Sequence, residues 1–218
     1  MYQYTLDTAF DISSKNAGSE EKLALNPAGD PISNQTDDIT FNNDGTKLFA
    51  ISDNGAMNIH ILSTPYDISD ATLVADDGIN WRTYKEPWGS SNTTMLPQTI
   101  RFNNDGTKMY LTEAVINTTD PQESVGVVQY NLATPFVPSS TTTVQVLNLR
   151  AQFPKTNIAI HAMNFDDDGT RMYVSAGNFN VETDHPHAVY ELSIPFEISS
   201  AKHVGTFNFV NASGGGVR

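Results

Sequence analysis

The densest cluster of potential binding groups in the chain is INWRTYKEPWG, which holds Trp81, Arg82, Tyr84 and Trp88 in one short stretch. Flat aromatic faces beside hydrogen-bonding groups suit a sugar ring or a peptide, and Arg82, Lys85 and Glu86 supply those groups. The same rings serve equally well to plug a loop against the sheet beneath it. A second cluster, ETDHPH, brings Glu182, Asp184, His185 and His187 together. On an extended segment His185 and His187 point the same way and can share a metal with Asp184 beside them, provided another loop completes the set. A polar loop tip is the plainer reading.

NFDDDGT resembles the start of a calcium loop. Asn164, Asp166, Asp168 and Gly169 fit its first positions, but Ser175 stands where a bidentate Glu is needed. The sister stretches carry Arg101 and Asn103 at the matching places, so Asp168 is better explained by a turn. Acidic loops such as Asp76-Asp77, or Asp120 with Glu123, leave room for a weakly held structural Ca2+ ion. No other cofactor is expected. Nucleophilic catalysis has no support: there is no Cys, no G-x-S-x-G elbow and no Ser-His-Asp grouping. Paired carboxylates for glycoside hydrolysis can be assembled from any acidic loop face, so a polysaccharide hydrolase or lyase stays open as an alternative.

Charge narrows the partners. Twelve Lys and Arg stand against 25 Asp and Glu, a formal net charge of −13. Such a surface repels nucleic acid and anionic membranes, because phosphate binding runs on Lys and Arg. No apolar run approaches a membrane span. The first twenty residues lack the basic start and apolar stretch of a signal peptide. With no Cys there is no disulfide frame. Abundant Asn, Thr and Ser with scarce Lys fit an extracellular or virion surface. N-x-[ST] matches at Asn34, Asn92, Asn117 and Asn211 matter only in a eukaryotic secretory host.

The elements that position all these groups come from a repeat. FNNDGTKLFAIS begins at Phe41, FNNDGTKMYLTE at Phe102 and FDDDGTRMYVSA at Phe165. In each, Asp44-Gly45, Asp105-Gly106 or Asp168-Gly169 separates two strand-like runs, a strong hairpin signal. The second run is apolar on both faces, as in a sheet covered on both sides. A second motif recurs out of phase: YTLDTAFDIS, HILSTPYDIS, YNLATPFVPS and YELSIPFEIS. Each reads as a strand, a break and an aromatic that folds back, followed by a fourth strand. The unit is therefore a four-stranded antiparallel meander of about 60 residues. Such a sheet must stack on copies of itself, and radial stacking predicts an all-β fold, a β-propeller. A β-solenoid is the rival architecture.

F-x-x-D-G-T-K-[LM]-[YF] resembles the repeats of YVTN and NHL-like propellers. Coupled with Y-x-L-x-T-x-[FY]-D-I-S, it looks like repeat proteins of marine bacteria and their phages, often found in large surface or tail-associated chains. The resemblance covers nearly all of the chain outside the loops, and it implies a scaffold or adhesion role. The repeat divides the chain into 1–34, the strand three and four half of a blade, then blades at 35–96, 97–158 and 159–218, the last with a Gly-rich tail. The first unit lacks its strands one and two. Either the chain is a piece of a longer protein, or another chain completes its open edge, or the ends close a small four-bladed ring imperfectly.

In a meander blade the one–two and three–four connections share one end of the propeller. Here that end is uniform. The other end carries two–three loops and interblade links that vary in length and composition, including the Trp81–Trp88 stretch. Loops on a rigid frame carry function, so the variable end is the expected binding end. The leading expectation is a non-enzymatic structural or adhesive propeller of a virion fibre, tail fibre or cell-surface filament. Its partners are proteins, or copies of itself through the incomplete blade. A glycan- or peptide-binding module is the alternative.

Overall fold

The structure, a computed structural model, describes residues 1–25, 36–52, 55–76, 81, 93–117, 125–153, 158–178 and 186–208. Among them there is no α-helix. A two-stranded sheet pairs β1 (Tyr2–Gln3) with β2 (Glu21–Lys22). Three four-stranded antiparallel sheets follow. The first runs through β3 (Asp38–Phe41), β4 (Lys47–Ile51), β5 (Met57–Ile61) and β6 (Thr72–Asp76). The second comprises β7 (Thr93–Phe102), β8 (Lys108–Asn117), β9 (Val125–Leu132) and β10 (Thr141–Asn148). The third comprises β11 (Ile158–Phe165), β12 (Arg171–Asn178), β13 (Pro186–Leu192) and β14 (Ala201–Asn208).

Every sheet is a simple meander, with each strand beside its neighbour in sequence. The chain is thus three full blades and a half blade of a β-propeller. β7 starts at Thr93 and β11 at Ile158, ahead of the boundaries that the repeat spacing suggests. Both first strands run on past a bulge, at Pro97/Thr99 and at Ile160/Ala162, which lengthens them at the variable end.

The second strands explain the stacking. Leu48, Phe49, Ala50 and Ile51 of β4 are all wholly buried, as are Met109, Tyr110 and Leu111 of β8. Side chains alternate between the two faces of a strand, so burial along the whole run requires cover on both sides. The covering comes from the adjacent blades. One apolar cluster joins the half-blade to blade 1 through Met1, Leu23, Leu25, Leu48 and Ile68. A second joins blades 1 and 2 through Phe49, Ile51, Ile100 and Leu111. A third joins blades 2 and 3 through Tyr110, Val127, Ile160 and Val174. The first strands are neighbours, β3 against β7 and β7 against β11, as innermost strands of a propeller must be. Each fully buried Leu, Ile or Phe contributes about 1.5–3 kcal/mol, so most of the stability resides in the junctions between blades.

Within each blade the two turns of the uniform end are clasped together. Gly45, Gly106 and Gly169 have φ of 70°, 71° and 72°, the left-handed conformation that the hairpin needs. The three–four connection places Tyr66, Phe136 and Phe196 in the same region, at φ of 62°, 55° and 59°. That is costly for a bulky residue and is held by its surroundings. Each aromatic amide donates to the carbonyl of the hairpin glycine at 2.9 Å. Each ring lies on that glycine, so that a Cβ on Gly106 would come within 2.3 Å of the Phe136 ring. The ring also packs on the Phe that opens the hairpin, as Phe136 does on Phe102 at 5.2 Å. A short 3-10 turn then leads into the fourth strand, at Ile68–Asp70, Pro138–Ser140 and Ile198–Ser200. The sequence patterns give no sign of these turns.

Gly106→Ala should cost at least the left-handed penalty, about 1–2 kcal/mol, plus displacement of the Phe136 ring. Gly205→Ala is the control, since a Cβ there meets nothing within 4 Å. Equilibrium denaturation in urea should show a lower midpoint for the first variant and an unchanged or higher one for the second.

Candidate functional site

The turn carboxylates serve the fold. Asp44, Asp105 and Asp168 each accept from the threonine two residues on, through both its amide (3.0, 2.9 and 2.9 Å) and its hydroxyl (2.5, 2.6 and 2.6 Å). Asn42, Asn103 and Asp166 accept the following Lys or Arg amide at 2.8, 2.8 and 2.9 Å. The Asp168 and Asp166 side chains are therefore engaged in closing the turn. Bonds from the threonine hydroxyl and amide hold the carboxyls of Asp44, Asp105 and Asp168 below the usual carboxylate range.

The expected ligand stretch divides. Trp81 is wholly buried, its amide donating to the Gly55 carbonyl at 2.9 Å. Its ring meets Tyr130 edge-on at 5.3 Å and 82°. It belongs to the core between blades 1 and 2 and presents no face to a ligand. Arg82, Tyr84 and Trp88 lie outside the described residues. So do Glu182, Asp184 and His185 of the histidine cluster. His187 is half-buried in β13, with Nδ1 2.8 Å from the Ser175 hydroxyl and its ring stacked on Phe207 at 5.2 Å.

Polar seams between blades were not foreseen. The Asp38 carboxylate of blade 1 binds the Arg101 guanidinium of blade 2 and accepts the Ile100 amide at 3.0 Å. Lys108 of blade 2 reaches Glu197 of blade 3 at 2.9 Å and Asn131 at 3.0 Å. Gln129 donates to the same Glu197 at 3.3 Å. Burial pushes the Glu197 carboxyl up, but the hydrogen bonds from Lys108 and Gln129 outweigh it and the net shift is downward. The Tyr110 hydroxyl, pushed up by burial, donates to the Phe196 carbonyl across the same junction. Their signal lies in the repeat itself. Lys108 and Glu197 occupy fixed places in the two motifs, one per blade, and the fold superposes those places across a junction.

Two junctions share a further device. Gln3 Oε1 accepts the Ile68 amide at 2.9 Å, and Gln129 Oε1 accepts the Ile198 amide at 3.0 Å. Between blades 1 and 2 the corresponding residues are Ile59 and Pro138, an apolar side chain and a nitrogen with no hydrogen.

No protein-family model matches the chain, and no curated protein matches it. Among solved structures it is similar to the β-propeller domain of Cps50 (Swd1) from Myceliophteria thermophila, at 11% identity and a TM-score of 0.44 over 80% of this chain and 43% of that one. It is also similar to a protein from Lactobacillus plantarum, at 11% identity and a TM-score of 0.46 over 78% of this chain and 41% of that one. The chain thus spans less than half the length of either.

Carboxyls with lowered native pKa contribute stability above their unfolded values and lose it as pH falls through the native ones. Asp44, Asp105, Asp168 and Glu197 all shift in that direction. The urea midpoint should therefore fall below about pH 4, and the fall should be shallower in Asp105→Asn. Trp81→Ala should cost about 3–5 kcal/mol by leaving a core cavity. A comparable midpoint to wild type would contradict its burial.

Proposed function

We propose that this chain is a non-enzymatic structural propeller of an extracellular assembly, a virion fibre or a cell-surface filament, whose partner proteins dock on the variable-loop end. The observation that supports this most is the difference between the two ends. At the uniform end the turn carboxylates are bonded within their own hairpins and the three aromatics cover glycines. The variable end carries the residues that differ from blade to blade, in a frame held rigid by the junctions. The fold suits a protein-interaction platform in general. The extracellular setting draws on the net charge of −13, the Asn- and Thr-rich composition and the resemblance to surface- and tail-associated repeat proteins.

A glycan- or peptide-binding module is the second reading. Trp81 anchors the start of its aromatic stretch in the core, which leaves Tyr84 and Trp88 as the contact residues. Tyr84→Ala and Trp88→Ala should then abolish retention on the ligand with an unchanged melting temperature.

The leading reading is tested by native fractionation of the source material. The chain should be found in high-mass surface or particle fractions, and polysaccharide substrates should show no turnover with the purified protein. Compact soluble monomers in the source, or measurable cleavage, would overturn it.

A further inference from the structure

The junction between blades 2 and 3 has two sides whose counterparts recur, uncovered, at opposite ends of the molecule. On the blade 2 side are Lys108 and Tyr110, which meet Glu197 and the Phe196 carbonyl. On the blade 3 side is the run Phe196-Glu197-Ile198, with Ile198 only 1% exposed. The repeat places Arg171 and Tyr173 of blade 3 at the positions of Lys108 and Tyr110. It places Phe10-Asp11-Ile12 of the half-blade at the positions of Phe196-Glu197-Ile198.

Both of these faces are open. Tyr173 is 43% exposed where Tyr110 is fully buried, and Phe207 is 44% exposed at the place of the half-buried Leu147. The Arg171 side chain is 55% exposed against 22% for Lys108. A shallow groove lined by Thr170, Arg171, Glu191 and Lys202 lies beside it. At the other end Phe10 is 100% exposed and Ile12 is 85% exposed. Phe10 holds φ at 63°, the costly conformation that its three counterparts adopt with their rings resting on the hairpin glycines of their own blades.

The two faces also match in charge and reach. Lys108 bonds Asn131 on its own blade and Glu197 on the next. Arg171 has Glu191 at the Asn131 position, 3.9 Å away. The place of Glu197 is taken by Asp11, a shorter carboxylate opposite a longer cation. The guanidinium fork suits such a pair. Among the described residues nothing covers either face.

We propose that blade 3 of one copy docks on the half-blade of a second copy. Arg171 pairs with Asp11, the Tyr173 hydroxyl donates to the Phe10 carbonyl, and Ile12 is covered as Ile198 is. This specifies the junction of the assembly read above and rests on that reading. The contact is heterologous: each copy keeps one free face of each kind, so the association propagates into a ring or a filament.

The test is sedimentation velocity of the 218-residue chain over a wide concentration range, with charge-swapped variants. Wild type should associate increasingly with concentration. Arg171→Asp and Asp11→Arg should each weaken association at least tenfold. The double variant should restore it, as should an equimolar mixture of the two single variants. Asp11 also accepts the Ser13 amide at 2.9 Å. Asp11→Asn keeps that acceptor and should still weaken association, which separates the junction from the local turn. A chain that stays monomeric at every concentration overturns the junction but leaves the loop-end reading standing. Association indifferent to all three single variants overturns it too. A monomer whose melting temperature falls in the single swaps and recovers in the double, independent of concentration, would mean closure within one chain and would overturn docking of a second copy.

Discussion

A strand buried on both faces cannot exist in a lone sheet, and β4 and β8 are such strands. Their cover has to come from neighbouring sheets, so the apolar core of this molecule lies between blades and not inside any one of them. That single constraint produces the repeat, because each blade must present to the next the surface that it requires from the last. It makes stability a sum of nearest-neighbour junctions.

The clasp between the two turns of each blade does a different job. A left-handed glycine under a left-handed aromatic ties strand two to strand four by way of one amide–carbonyl bond and one ring. Because that tie uses up the polar and apolar groups of one end, it frees the other end to vary. Rigid turns and variable loops are thus two aspects of one arrangement. The half-blade has the aromatic and the 3-10 turn but not the hairpin, which is why Phe10 stands clear of everything around it.

Much of this could be read from the residues. Asp-Gly between apolar runs gave the hairpins, the two-sided apolar strand gave the stacking, and the recurrence of both motifs gave the blades. The 3-10 turns were not legible: three residues such as Ile198–Ser200 have no period, and their formation depends on the aromatic before them being held at positive φ. Nor was the burial of Trp81, which an aromatic-rich stretch disguises; its place is set by a gap beside Tyr130 that only the packed blades create. The interblade ion pairs join positions far apart in the chain, and only the superposition of blades brings Lys108 to Glu197.

The alternation between Gln and Pro at the junctions bears on how a tandem repeat avoids confusing its own parts. Near-identical units invite misassembly, in which one blade takes another's place during folding. Here the surfaces are alike in shape but not in hydrogen-bonding grammar. Gln3 set against Pro138 would leave an amide oxygen with no donor, and Ile59 set against Ile198 would strand an N–H. Each such error leaves an unpaired polar group in the core, a penalty of about 1–3 kcal/mol. Two kinds of joint, used in turn, give the blades an order that their common shape alone does not.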